Sequence, residues 1–201
     1  LTARAREILE QRAARWPSIP APIQETELTF ALALAEMNAG NIAEAKGLFR
    51  ESLDLKDDPR TWAELGRLQA RTGEPQDAVQ SLQRSLSNIA EPSAAQIRQR
   101  ALRTEYLGDA WRALDRADNA SASYSRALML WEQLLAHPLE GSLRGAALVR
   151  RGVLLHRLGQ HEQGRASFER AMVEMPDQRE VYTQILAHLV TVPPDPAFAR
   201  D

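Results

Sequence analysis

The sequence predicts an all-α fold: an α-solenoid of antiparallel helical hairpins, about ten helices in all. Three observations predict it. Every apolar stripe has helical period, as in Ala5, Ile8, Leu9 and Ala13, and no segment alternates as a strand does. Gly40, Gly73 and Gly159 each close one such stripe just before the next begins, where a left-handed residue stops a helix. Between Gly40 and Leu86 the chain also repeats itself: Gly40 and Gly73, Ala45 and Ala78, and Phe49 and Leu82 are each 33 residues apart.

Taken in order, residues 1–17 form a helix that Trp16-Pro17 stops, and residues 18–23 are a stiff, Pro-rich connector. Residues 24–178 hold four hairpins, at about 26–58, 59–91, 93–136 and 142–176. The first runs from Gln24 to Ala39, turns at Gly40 and returns over Ile42–Asp54, with Asn41 and Glu44 as a capping pair. Asp58-Pro59 opens the second, because a proline in the first turn gives up an amide that has no partner there. Gly73 turns it, and Pro75 starts a helix to about Ser87. The third is longer, with helices over Ala94–Leu114 and from near Asp118 to Ala136. In the fourth, Ser142 caps a helix ending at Gly159, and its partner covers His161–Glu174. A capping helix at 177–190 and a Pro-rich mobile tail at 191–201 complete the chain.

The hairpins align on their own residues. A small residue in each first helix (Ala33, Gly66, Gly108, Gly152) precedes a small one in each second helix (Ala45, Ala78, Ala120, Gly164) by 12 positions. Four residues later stands a large apolar one: Phe49, Leu82, Tyr124 and Phe168. Small residues let two helices approach closely, and the large one is expected to fill the groove between hairpins. With Trp62-x-x-Leu65-Gly66, Leu107-Gly108-x-x-Trp111 and Gly152-x-x-Leu155, this pattern resembles the tetratricopeptide repeat, whose units are about 34 residues long. The resemblance covers about Thr26 to Gln178. It implies a right-handed superhelix whose first helices line a concave groove that binds peptides or helices of other proteins.

Departures from the pattern are specific. The repeat spacing grows from 33 to 42 to 44 residues, and the excess falls between hairpins. Asp115 stands where the other hairpins have glycine, so a different turn is expected there. Ile97 and Arg100 should lie beside Trp131 and Leu135 in a projecting third hairpin. Ala5, Leu9 and Pro17 are spaced like the second half of an upstream hairpin, which suggests a piece of a larger bacterial protein. Trp62 and Trp111 are assigned to the repeat core, Trp16 and Trp131 to helix ends.

Composition narrows the function classes. A net charge of −2 over 201 residues gives no field that would recruit nucleic acid. Absence of cysteine excludes disulfides and thiolate metal sites, and no apolar run reaches the length of a membrane span. The chain opens at Leu1 without a leader-like stretch; the cytoplasm is favoured, with the periplasm left open because a leader segment could precede this piece. His137, His156, His161 and His188 lack metal-ligand spacing, and phosphate-loop, nucleophile-elbow and dinucleotide motifs are absent. No cofactor and no catalytic residue are therefore expected.

The groove carries the functional expectation. Arg60, Arg67 and Arg71 fall on one side of their helix, opposite Trp62, Leu65, Gly66 and Gln69. Arg112, Arg150 and Arg157 occupy matching places in later repeats, and Phe30, Leu34 and Met37 give the first repeat an apolar wall. The chaperone-tail clamp of some repeat proteins is not matched, since its Lys and Asn positions hold Phe30, Leu34, Ala63 and Arg67. The leading reading is a non-catalytic scaffold that binds a peptide or helix of a partner protein, an acidic one if the arginines are used. Alternatives are a regulatory sensing domain attached to an effector or enzyme, and a self-assembly module joined weakly through the array ends.

Overall fold

The computed structural model describes residues 7, 11, 25–87, 93–175, 179, 181–183 and 185. Apart from Glu7 and Gln11, the N-terminal helix and its connector lie outside the described residues, as does the tail at 191–201. All regular structure among the described residues is α-helical. The helices are α1 (Glu25–Asn38), α2 (Ile42–Leu55), α3 (Pro59–Arg71), α4 (Pro75–Ser85), α5 (Ala94–Ala113), α6 (Ala117–Leu135), α7 (Gly141–Arg157) and α8 (His161–Glu174).

The chain divides into two compact units. The first comprises Leu1–Ile89 with Asp109–Asp115. Here α1 packs on α2, α2 on α3, and α3 on α4. Pairings between α3 and α4 run in opposite directions along the two helices: Trp62 meets Arg84, Gly66 meets Leu82, and Gln69 meets Ser81. The hairpin is therefore antiparallel. Its neighbour α1–α2 shares a core of Ala33, Ala45, Leu48, Phe49, Leu65 and Leu68. Lys46, buried near the start of α2, donates to Thr72 Oγ1 (2.7 Å) and Glu74 Oε1 (2.6 Å) in the α3–α4 turn, tying one hairpin to the next.

The second unit comprises Ala90–Gly108 and Arg116–Asp201. In it α6 packs on α7 and α7 on α8. Leu148, Val149, Val153, Phe168 and Ala171 form a core that Val181 and Ile185 join, so the helical residues after α8 cover the last hairpin. Ile97, Trp131 and Leu134 are also buried.

The aligned small and large residues meet within each hairpin. A Cβ built on Gly66 would lie 2.8 Å from Leu82 Cγ, and one on Gly108 2.5 Å from Tyr124 Cε1. A Cβ on Gly152 would strike the Phe168 ring, sixteen residues on in each case. The large residue thus sits on the small residue of its own hairpin instead of only filling the space between hairpins. The reason is steric: a bare α-carbon is what admits a ring at helix–helix distance.

Turns follow one scheme. Gly40, Gly73 and Gly159 have φ of +85°, +78° and +75°. After each, the next amide donates to a carbonyl five residues back: Asn41 to Glu36, Glu74 to Gln69, Gln160 to Leu155. Asp115 stands in the same left-handed region, with a φ of 55°. A carboxylate residue tolerates that region better than most.

The caps correct the sequence reading twice. Asn41 makes no side-chain cap and instead donates to Glu36 Oε2 at 2.7 Å. Ser142 lies inside the first turn of α7, whose N-cap is Glu140. Asp58 does cap α3, accepting from the Arg60 amide at 2.8 Å. A reciprocal box opens α5, with the Ser93 amide donating to Gln96 Oε1 (2.8 Å) and the Gln96 amide to Ser93 Oγ (3.4 Å).

Candidate partner-binding surface

In the first unit the structure brings the predicted apolar and basic residues together. Phe30, Leu34 and Met37 are half-buried and lean on the α1–α2 core, with the Phe30 and Phe49 rings 5.9 Å apart. Two arginines of α3 reach them. The Arg60 guanidinium lies 5.8 Å from the Phe30 ring centroid, and Arg67 Nη2 is 3.4 Å from Met37 Sδ. Residues about thirty apart in sequence thus share one mixed surface of α1 and α3.

Local acids hold most of these arginines. Arg60 pairs with the N-cap Asp58 at 2.8 Å, and Arg67 with Glu64 at 2.6 Å. Burial pushes the Asp58 carboxyl up, but hydrogen bonds from the Arg60 side chain and amide, with the charges of Arg60 and Lys56, outweigh it. The net effect holds Asp58 below the usual carboxylate value, and Arg60 is raised in turn. Arg71 is exposed and makes no such contact among the described residues, while Arg112 faces Asp109 at a loose 3.9 Å.

Arg150 and Arg157, in the second unit, are committed differently. Both donate to Glu105 Oε1, at 3.0 and 3.3 Å, and Glu105 is only 1% exposed. Arg157 also lies 5.1 Å from the Tyr124 ring centroid. A carboxylate taken out of water needs opposite charge and donors, so these two arginines serve α5 and α7 before any partner. Sequence spacing could not show this, because Glu105 is 45 and 52 residues away from them.

The two tryptophans assigned to the repeat core are less buried than the one near the end of α6. Trp131 is fully buried, the largest side chain in that class, although it is near the end of α6. Trp62 and Trp111 are only half-buried. The Trp62 indole N–H donates to Asp57, and the Arg84 guanidinium stacks 4.5 Å above its ring centroid.

Among the described residues no group of three His, Asp or Glu is placed to hold a metal ion, and no helix is long and apolar enough to cross a membrane.

A tetratricopeptide repeat family model matches residues 145–172, which is α7 from Gly145 onward and most of α8. Solved structures agree in fold. The chain superposes with a TM-score of 0.60 and 18% identity on repeats from a putative kinesin light chain of Podospora anserina, covering 89% of each chain. The chain has the tetratricopeptide repeat fold. A thermophilic tetratricopeptide repeat protein of Thermus thermophilus gives a TM-score of 0.57 at 18% identity, over 83% of this chain and 82% of that one. The pilF protein of Pseudomonas aeruginosa gives 0.55 at 17% identity, over 82% and 68%. No curated protein matches in sequence. At these identities the neighbours establish the repeat fold, and the small–large contacts at Gly66, Gly108 and Gly152 are the repeat's packing rule seen from inside.

Proposed function

We propose that this repeat protein is a non-catalytic protein–protein interaction scaffold that binds a peptide or helix of a partner protein on the first helices of its hairpins. The observation that carries the reading is the junction of α1 and α3. There Phe30, Leu34 and Met37 stand beside Arg60 and Arg67, and Arg71 is exposed one turn beyond Arg67. Apolar anchors with arginine at the edge are the composition that recognition surfaces favour. An acidic segment suits it best, with Arg71 and Arg112 as the arginines least engaged by local acids. Arg150 and Arg157 contribute by holding Glu105.

The test is affinity capture from cells of the source with wild type and with a Leu34→Ser, Arg67→Glu, Arg71→Glu variant. Thermal melting confirms that both are folded. Loss of the captured partner in the variant, and weakening of wild-type capture by salt, are expected. Equal capture of the same partner by both proteins would overturn the reading.

A further inference from the structure

A second site lies in the first unit, away from the Arg60–Phe30 and Arg67–Met37 contacts. Arg50 of α2, Trp62 and Gln69 of α3, and Asp77, Ser81 and Arg84 of α4 line an open cleft of about 340 Å³. We propose that this cleft is a docking site for a single acidic side chain, Glu or Asp, presented by an extended segment of a partner protein.

Its construction favours a carboxylate. The indole of Trp62 is fixed from one side by its N–H bond to Asp57 and carries the Arg84 guanidinium, 4.5 Å from its ring centroid, on its face. A stacked guanidinium keeps its N–H donors at the edge of the plane, where a carboxylate can take two of them at once. Stacking also means that less side-chain freedom is lost on binding. Neither Arg50 nor Arg84 forms an ion pair among the described residues, unlike Arg60, Arg67, Arg144, Arg150, Arg151, Arg157 and Arg170. Gln69 is held on the cleft wall, its Oε1 accepting from Ser81 Oγ at 2.7 Å.

Charge in the cleft limits what fits. Asp77 lies two turns before Arg84 on the same helix and forms no ion pair with it among the described residues. It repels a second acid at its own end. The cleft therefore suits one carboxylate in a neutral or basic context, and a polyacidic run or a nucleic-acid backbone fits it less well.

A labelled library of octapeptides, each with one Glu among neutral residues, tests this by fluorescence anisotropy on the whole chain, with a Gln-for-Glu library as control. Binding by members of the Glu library alone is expected. It should fall at least about tenfold in Arg84→Gln and severalfold in Arg50→Gln. Arg67→Gln should leave it unchanged, which separates this site from the one on α1 and α3. Circular dichroism verifies that each variant is folded. Equal binding of the Gln library, no binding at all, full retention in an Arg50→Gln, Arg84→Gln double variant, or stronger binding of a single-stranded oligonucleotide would each overturn the proposal.

Discussion

Placing a methyl group on Gly152 is the sharpest test of how these hairpins close. Two effects oppose each other. Alanine is the better helix former, worth about 1 kcal/mol over glycine inside a helix. Against that, the new Cβ would strike the Phe168 ring, and forcing an extra carbon into a packed contact costs about 1–3 kcal/mol. The ring cannot step aside easily, because Phe168 is 3% exposed and shares its core with Leu148, Val149, Val181 and Ile185. Gly152→Ala should therefore lose up to about 2 kcal/mol net. Gly108→Ala should behave likewise against Tyr124, and Gly66→Ala should also cost stability, because its Cβ would lie 2.8 Å from Cγ of fully buried Leu82 and 3.2 Å from the Ala78 carbonyl oxygen.

Urea unfolding followed by circular dichroism gives the size of the loss, and hydrogen exchange shows whether it is confined to α7 and α8. A double variant supplies the decisive number. Combined with Phe168→Leu, Gly152→Ala should cost at least about 1 kcal/mol less than it does alone, because the clash is shared by the pair. If Gly152→Ala and Gly108→Ala both stabilise the protein by the full propensity gain, the small–large contact is not what sets helix spacing here.

Three further outcomes follow from side chains already placed. Trp131→Ala should cost about 3–5 kcal/mol in chemical denaturation, and Trp62→Ala clearly less, because Trp131 is buried and Trp62 is only half-buried. Asp58 has its folded pKa depressed below the usual 3.8, so its contribution is present above that value and is lost as pH falls through the folded pKa; Asp58→Asn should flatten this part of the acid limb in a pH series of melting curves. Arg150→Glu should lower the melting temperature by placing a second carboxylate beside buried Glu105, while Arg71→Glu should leave it nearly unchanged.

The fold was legible because its rule is local. A glycine stop, a fixed 12-residue step and a large residue four positions later lie within one hairpin, and the helices α2, α3 and α8 begin where Ile42, Pro59 and His161 indicated. Features set by more distant neighbours were harder to read. Asn41 looked like a cap for α2, but Glu36 competes for its amide across the turn. Ser142 lost to an N-cap two residues earlier, Glu140, whereas Ser93 and Gln96 carried a box signature that could have been found by its spacing. Trp131 stands near the end of α6, yet it is only 1% exposed.

The arginines show why a surface is harder to read than a core. Helical spacing puts Arg60, Arg67 and Arg71 on one side of α3, and that reading needs only the helix period. Whether a guanidinium is available to a partner depends on which carboxylates the fold brings within about 4 Å, and that is a tertiary property. Asp58 and Glu64 could be foreseen for Arg60 and Arg67, being two and three residues away. Glu105 could not be foreseen as the acceptor for both Arg150 and Arg157, nor Trp62 as the platform for Arg84. Two arginines assigned to a groove thus support a buried carboxylate, and one assigned to nothing stands stacked over an indole in an open cleft. Charge counted along the sequence measures supply; the recognition surface is what is left after internal carboxylates have been satisfied.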